Sequence, residues 1–445
     1  SMIARKLHER IPVLTIEKEL EEAQEDLNIT LSEQQKEAVR MVFANPISII
    51  TGGPGTGKTT VLKIILYIYQ KKCGNEVKLM APTGRAARRM AESTGSGDAT
   101  TMHMALGLFG DGDYEALIDE LSADFINVDE VSMVDMHLAY EFFYKVKAGA
   151  RVLLVGDVHQ LPSVGAGDVF RQLILCGKIP VTVLNLVYRQ GKDSNIPINA
   201  QLINEGKTNL QWGDDFQMVE CSGADAAAQI VKNIYLKEIQ MYGMEQVQIL
   251  SPYKVRSAAG VLELNRSLQD EVNPPVSGKR ELHLGGEIFR EGDRILQNKN
   301  TEFASNGDLG TLVQIAEDED NNPLVQIVFT DGRRVKYEAE QVEMIEHANA
   351  ITIHKSQGSE CQVVIIPWLK AFYPMLKRNI FYTGITRAKQ RVYIVGEWKA
   401  VCQAIHTDDT GTRKTMLAVK IQQYCERYQR QENRRIPATI CNRAV

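Results

Sequence analysis

Residues 48–60, SIITGGPGTGKTT, decide how this chain folds. A β-branched run, Ser48 to Thr51, stops at a glycine-rich loop, and VLKIILYIY (61–69) continues as an apolar helix. The loop fits G-x-x-x-x-G-K-[ST] with Gly52, Gly57, Lys58 and Thr59, completed by Gly53, Pro54, Gly55, Thr56 and Thr60. Such glycines let backbone N–H groups turn toward phosphate oxygens, and the helix N-terminus behind them favours negative charge. Lys58 is expected to reach the β and γ phosphates of a nucleotide, and Thr59 to ligate Mg²⁺. The bland alternative is a glycine turn with an incidental lysine; the strand before and the helix after argue against it.

Working outward, VKLMAP (77–82), FINVDE (125–130) and RVLLVGD (151–157) are apolar runs ending in polar residues. Continuous apolar strands separated by helices imply an α/β fold with a parallel sheet covered on both faces, whose chemistry collects at the strands' carboxyl ends. A second block starts near Val181, with VQILSP (247–252), a helix over 258–269, CQVVIIP (361–367) and QRVYIVG (390–396). Between about 273 and 345 the pattern changes to short strands joined by NGD, EDNN and DGR turns, an all-β insertion in the second block.

Asp129 and Glu130 stand together at a strand end. Alone the pair is weak; downstream of a phosphate loop it reads as Asp129 holding the Mg²⁺ shell and Glu130 polarising the attacking water. These motifs predict nucleotide hydrolysis without saying what it drives. No second carboxylate cluster suggests a two-metal nuclease site.

Composition sets the surroundings. With 44% hydrophobic and 24% charged residues the chain is globular in kind rather than disordered, and 445 residues exceed one ordinary core. A net charge of −5 excludes a uniformly basic coat but leaves room for a local basic channel. Seven cysteines, never spaced C-x-x-C, suit a reducing cytoplasm rather than a disulfide framework or a zinc site. No apolar run reaches the roughly 18 residues of a membrane span. A cytoplasmic chain without membrane contact is expected. Ser1 ahead of Met2 has the form of an expression remnant, so residues 1–30 are expected to be a leader helix and linker left from a longer amino-terminal region. The acidic run from Glu17 to Asp26 reads as a solvated linker or helix face, and the basic tail from Arg413 as a solvated helix with a disordered end.

Further motifs follow in order: LSEQQKEAV (31–39), APTGRAARRM (81–90), GDVHQLPSVGAGDVF (156–170), LVYRQ (186–190), ITIHKSQGSE (351–360) and FYTGITRAKQRVYIVG (381–396). Together they resemble superfamily 1 helicases, most closely the RecD-like branch of superfamily 1B, over nearly the whole stretch from Leu31 to Gly396. The resemblance implies two RecA-like domains with ATP between them, and a small β-barrel in the second. It implies domain 1A over 31–172 with a short pin, 1B, at about 104–124; domain 2A over 173–272 and 346–445; and the barrel, 2B, over 273–345. It also implies roles. Gln35 reads adenine and Tyr188 stacks on the base; Gln160 senses the γ-phosphate; Arg189 and Arg387 enter as arginine fingers; Gly358 and Glu360 touch ribose or couple nucleotide to DNA. Candidate DNA contacts are Thr83, Arg85, Thr101, His103, His354 and Lys355, with Arg88 and Arg89 read as a solvated helix face.

The implied activity is ATP-driven translocation along single-stranded DNA or tailed duplex DNA, 5′→3′, in recombination or repair. The short pin region puts vigorous unwinding in doubt. Two alternatives stay open: an ATPase subunit or ATP-gated DNA-binding module that works with recombination or repair protein partners, and an RNA-directed helicase of the same superfamily.

Overall fold

The computed structural model describes residues 1–74, 76–97, 99–108, 119–185, 194–301, 303–319, 322–408, 413 and 415–435. The first block is a six-stranded parallel sheet of β1 (Ile47–Gly52), β2 (Val77–Ala81), β3 (Ala99–Thr101), β4 (Phe125–Val128), β5 (Arg151–Gly156) and β6 (Val181–Leu184), ordered β3-β2-β4-β5-β1-β6. Its strands are apolar on both sides because both faces are covered. Ile47 and Ile49 of β1, with Val152 and Leu154 of β5, bury toward one layer of helices; Ile50, Leu153 and Val155 bury toward the other.

The second layer holds α2 (Glu17–Asp26), α3 (Glu33–Ala44), α4 (Lys58–Cys73) and α5 (Gly84–Thr94). The first holds α1 (Met2–Leu7), α6 (Met102–Ala105), α7 (Met136–Lys145) and α8 (Val169–Leu175). Local chemistry sets the helix starts. Ser32 and Gln35 form a capping box on α3, and Asp135 Oδ1 accepts from Leu138 N at 2.9 Å on α7.

The second block contains α9 (Asn195–Asn204), β7 (Phe216–Glu220), α10 (Ala224–Tyr242), β8 (Val247–Ser251) and α11 (Val261–Val272) before the insertion. After the insertion come β16 (Ala350–Thr352), β17 (Cys361–Trp368), α13 (Arg378–Ile385), β18 (Ala388–Gly396) and α14 (Trp398–His406). Its five parallel strands run β16-β8-β17-β18-β7 over one continuous core.

The insertion is β9 (Glu281–Leu284) paired with β10 (Glu287–Arg290), then β11 (Arg294–Gln297), β12 (Leu309–Glu317), β13 (Pro323–Phe329), β14 (Arg334–Tyr337), α12 (Ala339–Val342) and β15 (Ile345–His347). The last five strands form an antiparallel sheet ordered β14-β13-β12-β11-β15, with its own core around Phe289, Leu312 and Ile327. Gly307 and Gly332, at φ +95° and +84°, make the NGD and DGR turns that the sequence expects. This sheet reaches back to the first block. Arg88 of α5 pairs with Asp308 and, at 3.2 Å, with Asp331, and Ser305 lies so close to Gly84 that a Cβ there would come within 2.3 Å of its Oγ.

Three expectations change, the first being the boundary: β6, at Val181 where the sequence reading starts the second block, pairs with β1 and belongs to the first sheet. The leader packs on the first block, through Ala4 of α1 and through Ile16, Leu20 and Ala23, and the acidic run is a helix face rather than a linker, its carboxylates turned outward to Arg40, Lys71 and Lys72. The basic tail is not wholly solvated. Helix α15 (Leu417–Arg435) buries Ile421 and Cys425 in the first block's core, beside α1 and α8, and Tyr428 stacks on His8. Its apolar stripe, Leu417, Ile421 and Tyr424, lies three and four residues apart, a spacing the surrounding charges obscured. Most of the expected pin region, residues 109–118, lies outside the described residues.

Candidate active site

The carboxyl ends of β1, β4 and β5 are adjacent strand ends of one sheet, and each carries a motif. The loop after β1 wraps on itself: Lys58 Nζ donates to Gly52 O at 2.7 Å and Gly53 O at 2.9 Å, and Thr56 Oγ1 donates to Gly53 O at 2.9 Å. Gly57 sits at φ +83°, and a Cβ there would lie 2.3 Å from Gln35 Nε2, so any larger residue is strained and must displace that amide. Gln35 is buried over this loop. Its Oε1 accepts from Ser32 N at 3.0 Å and its Nε2 donates to Thr56 O at 3.3 Å, so both ends of the expected adenine reader are engaged within the protein.

At the end of β4, Glu130 adopts φ +51°, a left-handed backbone unusual for a non-glycine residue and a feature that concentrates at functional sites. Its N–H donates to Asp129 Oδ1 at 2.8 Å. Burial, then the Glu130 charge, push the Asp129 carboxyl up to about 6, against the Glu130 N–H, Lys58 and Arg89, which hold it down. At the end of β5, Asp157 is followed by a turn that carries Gln160, whose Oε1 is buried without a hydrogen-bond partner among the described residues.

The second block completes the cleft. A cavity of about 300 Å³ is lined by Pro54 to Thr60, Asp129, Glu130 and Gln160 from the first block and by Gly358, Glu360 and Arg387 from the second. Arg387 is buried, with Nε donating to Thr383 O at 3.2 Å and Nη1 to Ser359 O at 3.3 Å. Tyr188 and Arg189 lie outside the described residues.

Sequence reading missed Arg89. Its guanidinium pairs with Glu360 at 2.6 Å across the cleft. Burial works against its charge, but Glu360, Glu130 and Asp129 outweigh that and raise its pKa. Successive helical residues point about 100° apart, so Arg88 faces the insertion while Arg89 faces the cavity. Two adjacent arginines in a polar helix gave no sign of that division.

The six candidate DNA contacts fall in separate places. Thr83, just after β2, and Thr101, the last residue of the neighbouring β3, cap α5 and α6, accepting from Ala86 N at 3.3 Å and Met104 N at 3.2 Å. Arg85 has a buried Nη1 with no hydrogen-bond partner among the described residues, and burial lowers its pKa to about 10. His103, on α6, is lowered by burial. His354 is also lowered by burial and lines a second interblock cavity of about 260 Å³ with Arg171 and Lys377. Lys355 is paired with Asn298 and, at 3.1 Å, with Glu346.

Three family descriptions match the chain in order: an AAA domain over residues 30–224, an ATP-dependent RecD-like DNA helicase SH3 domain over 264–329, and a UvrD-like helicase C-terminal domain over 347–395. The ATP-dependent RecD2 DNA helicase of Deinococcus radiodurans is 35% identical over 370 residues, 83% of this chain and 50% of that protein. The RecBCD enzyme subunit RecD of Haemophilus influenzae is 27% identical over 463 residues, 86% of this chain and 72% of that one. The chain thus spans about half the length of the Deinococcus relative. In fold, the Pif1 helicase from Candida albicans superposes with a TM-score of 0.52 at 18% identity, covering 91% of this chain and 100% of that one. That likeness makes the parallel-sheet blocks a RecA-like core. With a phosphate loop, a RecD-like SH3 match between two RecA-like blocks and the Deinococcus relative all in agreement, the chain is similar to RecD-like helicases over most of its length.

Proposed function

We propose that this chain is an ATP-hydrolysing motor that moves along single-stranded DNA, 5′→3′, and opens tailed duplexes in recombination or repair. One observation carries the reading: a single cleft is lined by Lys58, Thr59, Asp129, Glu130 and Gln160 from one sheet and by Glu360 and Arg387 from the other. A site divided in this way makes hydrolysis depend on how the two blocks close, which is what a motor needs.

Lys58 exchanges its loop carbonyls for the β and γ phosphates. Thr59 and Asp129 supply a hydroxyl and a carboxylate facing the same cavity, a hard-oxygen set suited to Mg²⁺. Once bound there, the ion screens phosphate charge and orients the terminal phosphoryl group. Glu130 takes the proton of the attacking water, and Gln160, whose Oε1 has no partner among the described residues, accepts from that water and so senses the γ-phosphate it attacks. Arg387, with Arg189, supplies positive charge where it spreads over the phosphoryl oxygens. Gln35 and Tyr188 hold the base, and Gly358 and Glu360 the ribose. Thr83, Arg85, Thr101, His103, His354 and Lys355 grip the strand by its phosphates, without reading bases.

The domain reading follows with its boundaries moved: 1A runs from 31 through β6, which pairs with β1, with its pin at about 104–124; 2A takes 194–272 and 346–408; and the insertion over 273–345 is a small β-barrel 2B. Helix α15 packs on the first block, so we assign it to 1A.

The test is steady-state ATP hydrolysis with and without poly(dT), with Lys58→Ala and Arg387→Ala as controls. Strong stimulation that both substitutions abolish is expected; no stimulation with ATP still bound overturns the autonomous motor. A second reading has its own support, since the Haemophilus relative is named as a subunit of the RecBCD enzyme: the chain acts as the ATPase of a larger assembly. Matched DNA and RNA oligonucleotides in the same assay separate the two strand types.

A further inference from the structure

Tyr382 takes part in none of the roles described so far, yet it occupies the junction of the two blocks. It lies on α13 of the second block and is buried. Its hydroxyl donates to Asp157 Oδ2 of the first block at 2.8 Å. Burial and the Asp157 carboxylate push the phenol well above the ordinary tyrosine range, so the proton stays on its oxygen and the direction of donation is fixed. The same hydroxyl stands beside the phosphate loop: a Cβ on Gly53 would come within 3.1 Å of it.

Asp157 organises the turn that carries Gln160. Its Oδ1 accepts from His159 N at 3.0 Å, its Oδ2 from Gln160 Nε2 at 3.4 Å, and its carbonyl from Gln160 N at 3.3 Å. Two more bonds cross beside it. Leu161 N donates to Thr383 Oγ1 at 2.9 Å, and Gln357 Nε2 donates to Leu161 O at 3.0 Å. On the other side of the joint, Arg387 hangs from Thr383 O, the residue after Tyr382.

We propose that Tyr382 is a positioning residue for hydrolysis: its bond to Asp157 sets the Gln160 turn and Arg387 in register across the closed cleft. This rests on the ATPase reading above. It assigns no new contact with nucleotide. Tyr382 and Thr383 staple the end of α13 to the turn, so two groups from different blocks meet the terminal phosphate from one rigid joint. A buried bond to a charged acceptor is worth enough that its loss lowers a rate that depends on it by about 10-fold or more.

The experiment compares Tyr382→Phe, Asp157→Asn and the double variant in DNA-stimulated ATP hydrolysis, with nucleotide affinity and thermal midpoint measured alongside. Tyr382→Phe is expected to lower kcat about 10-fold while KM for ATP stays within about 2-fold, because positioning rather than binding is lost. The double variant is expected to fall no further than the worse single one. A Tyr382→Phe rate within about 2-fold of the parent, or additive losses in the double variant, overturns the proposal. A loss that follows only the thermal midpoint does so too. If the parent chain itself shows no DNA-stimulated hydrolysis, it is the motor reading that fails, which the parent alone reveals.

Discussion

Replacing Asp308 by alanine is the sharpest test of how the insertion is fastened. Its carboxylate is 1% exposed and accepts from Arg88, from Arg333 Nη2 at 2.9 Å and from Ser305 N at 3.0 Å. Stripping a fully buried partner from such a cluster costs about 3–5 kcal/mol. Here the Arg88 and Arg333 side chains are 31% and 37% exposed and recover water, which lowers the expectation. We expect Asp308→Ala to destabilise the insertion by about 2–3 kcal/mol. Arg88→Ala removes only the interblock arm and leaves Asp308 paired with Arg333, so it costs about 1 kcal/mol. Hydrogen exchange of the β12 and β13 amides measures both. Protection is expected to fall roughly 30- to 150-fold for Asp308→Ala and about 5-fold for Arg88→Ala. Equal losses for the two variants, or a change below about 2-fold for Asp308→Ala, refute the idea that Asp308 is the node.

Three further outcomes are expected. Gly57→Ala forces a side chain into a left-handed position already occupied by Gln35; it should cost about 1–3 kcal/mol and weaken nucleotide binding, checked by urea unfolding and calorimetric titration. Ile421→Ala should destabilise the first block by about 2–4 kcal/mol, read from exchange in β4 and β5, because the side chain is buried at 4% exposure. Burial lowers both His103 and His354. The unfolded chain therefore takes up these protons first as pH falls, so stability is complete above roughly pH 6.5 and declines below it. His103→Gln with His354→Gln should flatten that decline in denaturation measured from pH 7 to 5.

The core of the first block was legible because its strands end in chemistry. SIIT before GGPGTGKTT, and FINV before Asp129, carry strand and site in one phrase, and β1 and β4 occupy those positions. The insertion announced itself through NGD and DGR, whose glycines must turn left-handed. What stayed hidden were matters of facing. Arg88 and Arg89 are neighbours in sequence, yet one reaches the insertion and the other the cleft. Gln35 sits in a helix-start pattern whose capping box engages its Oε1 and leaves the amide nitrogen over the phosphate loop. Tyr382 sits in an apolar run where nothing marks its hydroxyl as bonding to a residue 225 positions away.

The path of α15 has a mechanical consequence. The chain leaves the first block after Asn185, and by Arg413, whose Nη1 donates to Gly165 O at 3.1 Å and Gly167 O at 2.7 Å, it has come home. The second block is therefore tethered to the first at both ends, an insert rather than an appendage, so the two ends of its excursion stay together for as long as α15 keeps its packing.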